Sequence, residues 1–254
     1  MALLLLKLTL APGLVAATTL AGRRWGPRIA GWLGGLPVVV APILLAISLE
    51  HGRGFAADAA AGALLGLLSL TVFVLEYGWA ARVMSWVPAA AIGWVVFGIS
   101  TVLLDQTHPP NWIALVLVLA SFAAAAALLP RAAAVRGGTP PRFDLLFRAA
   151  ATAALVLILT GLAGTLGPHL SGLLATFPVL ATVLAAFTHA QEGPAAAAQF
   201  LRGFAVGLVA FAVFCFSVAE ILPHTSIAAA FLISSGIALA AHAVSFGVQR
   251  VLAR

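Results

Sequence analysis

Lys7 and Arg148 each fall about one to two turns inside the start of a long apolar run. A cation at that depth does one of two things. It snorkels along its apolar stem to the headgroups, or it supplies a contact for an anionic solute; a lipid phosphate suits both roles. The carboxylates Glu50, Asp58, Glu76, Asp105, Glu192 and Glu220 all read as helix-end residues close to water. None sits at the centre of a run, which argues against a proton or sodium relay through buried acids. His51, His108, His169 and His224 fall in or beside connectors, with no H-x-x-x-H or H-E-x-x-H spacing for a metal. His242, flanked by Ser234 and Ser245, is the titratable side chain set well inside an apolar stretch. It reads either as a ligand contact or as a hydrogen-bonding group between helices. Cys215 is the one cysteine, so intrachain disulfides and CxxC chemistry are excluded.

A second set of candidates bears on the backbone. The stretch from Gly26 to Pro37 carries Gly31, Gly34 and Gly35, and a related stretch carries Gly172 and Pro178. A proline inside a helix frees the carbonyl four residues before it and kinks the chain. Gly31, Gly35, Pro37, Gly172 and Pro178 are thus candidate substrate-binding positions, where freed backbone groups meet a cavity. The alternative is that these glycines let helices approach closely, as Gly62 with Gly66 and Gly203 with Gly207 would. No hydrolase elbow, P-loop or dinucleotide fingerprint occurs, so neither an enzyme nor a cofactor is expected.

The elements that must position these residues follow from composition. The chain is 63% hydrophobic and 8% charged, against about 25% charged for an ordinary soluble domain. A lipid solvent is implied, and unbroken rather than alternating apolar runs imply helices. The expected fold is all-α, a polytopic bundle of nine spans at about 2–21, 28–49, 55–77, 80–104, 111–129, 145–166, 168–190, 195–219 and 225–249. Residues 2–20 lack a basic leader and a small-residue cleavage site, and so read as a retained helix. Alternating connectors gather Arg23, Arg24, Arg28, Arg82, Arg131, Arg136, Arg142, Arg148, Arg202, Arg250 and Arg254 on one side. Lys7 and Arg53 remain on the other. This asymmetry places the basic side in the cytoplasm, the N-terminus in the periplasm and the C-terminus in the cytoplasm of a bacterial inner membrane. The net charge of +6 is scattered through connectors rather than gathered on a face, so nucleic acid is not an expected partner.

Glycines and prolines recur at an offset of 141 residues: Gly26, Pro27, Gly31 and Pro37 with Gly167, Pro168, Gly172 and Pro178. Gly52, Gly62 and Gly66 match Gly193, Gly203 and Gly207, and Lys7 falls on Arg148. Such matches mark backbone needs rather than hydrophobicity. The expected organisation is a four-helix repeat over 1–104, a linking helix with a basic cytoplasmic loop over 105–144, and a second repeat over 145–254. A single intervening crossing would invert the second copy, the architecture of many secondary transporters.

The stretch Ser171-Gly-Leu-Leu-Ala-Thr-Phe-Pro-Val-Leu-Ala-Thr, with the polar connector His189 to Pro194 and the glycine-bearing helix after it, resembles the GlpM-like family of small bacterial inner-membrane proteins. Those proteins are about one repeat long, so the resemblance implies a duplicated version; it supplies no site residues. At the level of architecture the chain is also similar to the drug and metabolite transporter superfamily. The embedded glutamate of its small multidrug branch is replaced here by Lys7 or Arg148, which points away from cationic drugs. The expectation is a secondary transporter or permease for a small neutral, anionic or lipid-linked solute. Its alternative is a nontransporting scaffold or subunit of an envelope complex. Expected partners are the bilayer, a small-molecule or lipid-phosphate ligand, and further copies or other membrane subunits.

Overall fold

The computed structural model describes residues 2–130, 141–163 and 176–251, and side chains over 9–130, 141–158 and 176–247. The described residues form ten α-helices and one short 3-10 turn, without strands. In chain order they are α1 (Ala2–Trp25), α2 (Pro27–Gly34), α3 (Val40–His51), α4 (Arg53–Ala80), α5 (Trp86–Asp105), α6 (Asn111–Leu128), α7 (Asp144–Ala163), α8 (Val179–Glu192), α9 (Pro194–Ile221) and α10 (Ile227–Val251). The 3-10 turn, Leu222–His224, joins α9 to α10.

Glycine and proline punctuate these helices for identifiable reasons. Gly26 turns the chain at φ 90°, a region that side chains with a Cβ rarely enter, and Pro27 then opens α2 where its missing N–H costs nothing. Gly52 and Gly193 make the same turn at φ 87° and 91°, before α4 and α9. The expected single helix over 28–49 is two helices: α2 stops at Gly34 and α3 begins at Val40. Pro37 lacks a donor and disfavours helical geometry at Leu36, and Gly34 and Gly35 make leaving the helix inexpensive. The result is a break over residues 35–39 rather than a kink. Pro178 likewise ends up at the cap of α8, outside the helix expected to contain it. The turn between the third and fourth expected spans also lies later than expected, because α4 continues to Ala80 and α5 starts at Trp86.

Five of the described helices are long and apolar enough to cross a bilayer, an inventory that fits an integral membrane protein. They divide into two kinds. The most apolar windows of α4 and α9 are 72% and 61% buried, whereas those of α5, α6 and α10 are 22–28% buried. Helices α4 and α9 therefore form the centre. Helix α9 packs on α2, α4, α6, α8 and α10, and α4 packs on α3, α5, α6 and α9. The outer helices present Val95, Ile99, Val102, Val116, Leu232 and Leu239 outward, an apolar perimeter suited to lipid.

The tightest seam joins α2 to α9. A Cβ on Gly31 would collide with the Phe200 carbonyl, one on Gly35 with the Gly207 backbone, one on Gly203 with the Arg28 carbonyl and one on Gly207 with the Trp32 carbonyl. In lipid there is little hydrophobic gain from pairing helices. Close van der Waals contact between backbones supplies the attraction instead.

Candidate functional site: a polar vestibule and a chamber beside a helix break

Asp144 opens α7, where a carboxylate suits the positive end of the helix dipole. Arg148, one turn on and 3% exposed, donates from Nε to both Asp144 oxygens at 2.9 and 3.0 Å. Its Nη2 reaches Gln191 Oε1 at 3.3 Å, and Gln191 Nε2 donates to Asp144 Oδ1 at 2.6 Å. Arg23, at the end of α1, adds a bond of 2.8 Å to Asp144 Oδ2. Phe187 lies under the Arg148 guanidinium, 5.0 Å from ring centroid to Cζ. A single buried carboxylate thus ties α1, α7 and α8 together, and every member of the network has a charge-assisted partner.

This network walls a cavity of about 430 Å³ completed by Thr19, Pro27, Leu184, Thr188, Glu192 and Phe200. Two arginines and two carboxylates balance its charge. The Thr19 hydroxyl is buried there without a hydrogen-bond partner. A second, smaller cavity of about 90 Å³ lies where the break between α2 and α3 meets the residues leading into α8. Gly34, Leu36 and Val39 line it from that break, and Thr176, Phe177 and Pro178 from the entry to α8. Leu184 and Phe200 face the vestibule, and Phe204 faces the chamber. Phe200 stacks on Phe204 with centroids 5.8 Å apart, and a Cβ on Gly34 would touch Phe204 at 3.5 Å and Leu184 at 3.7 Å. These apolar side chains form the partition between the two spaces.

The residues singled out from sequence distribute unevenly. Arg148 lines the vestibule, and its guanidinium is held by Asp144 and Gln191. Pro178 lines the chamber, whereas Pro37 lies within the α2–α3 break. Gly31 and Gly35 belong to the α2–α9 seam, so the space beside them is filled by backbone. His242 lines neither cavity. Its ring stacks on Trp32 at 3.9 Å and 10°, and the hydrogen bond between these helices comes from Trp32 Nε1 to Ser245 Oγ at 3.0 Å. Trp32 is accordingly an internal contact. The Lys7 side chain and Gly172 lie outside the described residues.

Other polar groups depart from the expectation of solvated ends. Glu76 is half-buried, with Oε2 enclosed and unpartnered near Gly93. Tyr77, fully buried beside it, meets His189 Nδ1 at 3.4 Å. Trp94 donates to Thr182 at 3.0 Å, tying α5 to α8. Of all these, the four-residue spacing of Asp144 and Arg148 was the signal open to a sequence reader. Among the described residues no group of three or more histidines, cysteines or carboxylates could hold a metal.

Among the described residues, an all-helical core, an apolar perimeter and five helices long enough to span a bilayer are compatible with an integral membrane protein. No family model, curated protein or solved structure matches the chain.

Proposed function

We propose that this chain is a secondary transporter or permease of the bacterial inner membrane, carrying a small neutral, anionic or lipid-linked solute through nine spans arranged as two inverted repeats. The observation that carries this reading is the chamber where the broken α2–α3 segment meets the proline-capped start of α8, beside a polar vestibule. Irregular backbone inside a membrane is tolerated where protein buries it or where it borders a cavity, and transporters place their sites at such breaks. The chamber is smaller than the roughly 300–1,000 Å³ of a typical ligand pocket. Transport through it requires the Leu184, Phe200 and Phe204 partition to part and the chamber to widen.

Helix boundaries support the duplication: α4 and α9 are both 28 residues long and start 141 residues apart, as α5 and α10 do. Contacts at the connectors support the inversion. Arg23, before α2, meets Asp144, which bonds Gln191 near the α8–α9 turn. The corresponding α3–α4 turn lies with the α9–α10 connector instead, through Arg53 to the Thr225 carbonyl at 2.9 Å. Asn111, at the start of α6, joins that second end through Glu220 at 2.7 Å. The likeness to GlpM-like proteins, carried by residues 171–182 and the connector after them, agrees with a doubled four-helix unit.

Reconstituted vesicles offer the test. Flux of a panel of small neutral and anionic solutes is expected for the native chain. Pro37→Ala combined with Pro178→Ala should abolish that flux while leaving insertion and yield unchanged. A chain that moves no solute, and whose chamber cysteine at Leu36 reacts with permeant maleimide from neither face, would overturn the reading. The small chamber and the closed glycine seam favour one alternative, a nontransporting subunit of an envelope complex. Co-purification with a stoichiometric membrane partner, without flux, is its signature.

A further inference from the structure

A third cavity, of about 600 Å³, opens on a different face, between α6, α9 and α10. Its walls are Leu119, Phe122, Ala123, Val206, Val209 and Val244, and its charged lining consists of Arg28 and Arg202. Among the described residues no carboxylate borders it. Arg28 begins α2 and Arg202 lies in α9, where the glycine seam brings the Arg28 backbone against Gly203. Both arginines are half-buried. Arg28 follows Gly26 and Pro27 of the vestibule, so the cationic edge belongs to the end of the molecule that carries Arg23 and Asp144. The alanines of α6 keep its wall low, and α6 and α10, which flank the opening, are the helices with outward apolar faces.

We infer that this groove holds an anionic glycerophospholipid, its phosphate on Arg28 and Arg202 and one acyl chain between α6 and α10. Two features argue for a lipid over a free anion. A free phosphate would use the arginines but leave the apolar walls without a partner, whereas an acyl chain covers them. Guanidinium groups at headgroup depth also pair with phosphate oxygens in a bidentate fork, in a setting where water competes little. A zwitterionic lipid would fill the same walls but give back part of the charge gain through its own ammonium. The inference stands apart from transport, since the groove shares no lining residue with the vestibule or the chamber.

Native mass spectrometry of the full chain in detergent tests it, with phosphatidylglycerol, phosphatidylcholine and inorganic phosphate as separate probes. The native chain is expected to retain one phosphatidylglycerol in preference to phosphatidylcholine, and phosphate should not displace it. Arg28→Gln with Arg202→Gln should weaken phosphatidylglycerol roughly 30-fold and each single change roughly fivefold, while phosphatidylcholine weakens much less. Ala126→Phe, which fills the groove and keeps both charges, should remove retention of both lipids. Arg28→Lys with Arg202→Lys, retaining charge, checks that loss of binding is not loss of fold, as does an unchanged elution volume. Equal retention of the two lipids in all variants would overturn the inference. So would displacement by phosphate, or a dimer that Ala126→Phe splits, since the groove would then hold a free anion or a second copy.

Discussion

Removing the carboxylate of Asp144 leaves Arg148 charged and enclosed without its main partner, a situation worth about 3–5 kcal/mol of stability. Asp144→Leu is therefore expected to lower the unfolding midpoint sharply, and Arg148→Met in the same chain should restore most of the loss. A double-mutant cycle on thermal melts in detergent measures this. Arg23 keeps 35% of its side chain exposed, so Arg23→Gln should cost only about 0.2–1 kcal/mol. Spacing alone made Asp144 and Arg148 readable as neighbours. Gln191 joins them from 43 residues beyond Arg148 and Arg23 from 121 before Asp144. Such cross-element partners leave no local periodicity, which is why Tyr77 with His189 and Trp94 with Thr182 went unforeseen. His242 invited a polar reading because a lone histidine in an apolar run is unusual, yet what it meets is the flat face of Trp32.

Helix ends were the most legible level, because glycine and proline act through the backbone they occupy. The turns at Gly52 and Gly193 share a positive φ with an extended ψ, a region essentially confined to glycine, and alanine there costs about 1–3 kcal/mol. Gly52→Ala and Gly193→Ala should thus destabilise by matching amounts in the same melt. Gly54→Ala should cost little, since nothing lies within 4 Å of its Cβ position. Along the α2–α9 seam the penalty has a different origin. Gly31→Ala drives a methyl into the Phe200 carbonyl, and overpacking of that kind costs about 1–3 kcal/mol. A proline inside an apolar run announced a disturbance at 37 without its extent. The preceding Gly34-Gly35 pair decides that the helix stops altogether, since it weakens the turn that a kinked helix would have to hold together.

At the scale of the molecule, sidedness can be measured directly. Cys215 is fully buried, so its thiol is a silent background for labelling. Single cysteines at Arg53, Thr107 and Thr225 should react from one face of oriented vesicles, and cysteines at Trp25 and Gln191 from the other. Reaction of positions 53 and 191 from the same face would rule out an inverted second copy. Composition made the lipid environment evident, and the apolar runs made the helices evident. Which helices take the centre was not evident, since α4 and α5 have the same mean hydropathy of 2.0. Centrality comes from small residues that let neighbours approach, as along the alanine- and glycine-rich faces of α4 and α9.

Although α2 and α3 are consecutive, they are fastened to different masses. The first is clamped by its glycines to α9, while the second lies along α4. Any rocking of one half against the other must then be absorbed by the five residues that join them, much as a strap between two hulls takes the strain when they shift. Shortening that strap by a residue should therefore lock the halves in one pose before it weakens either.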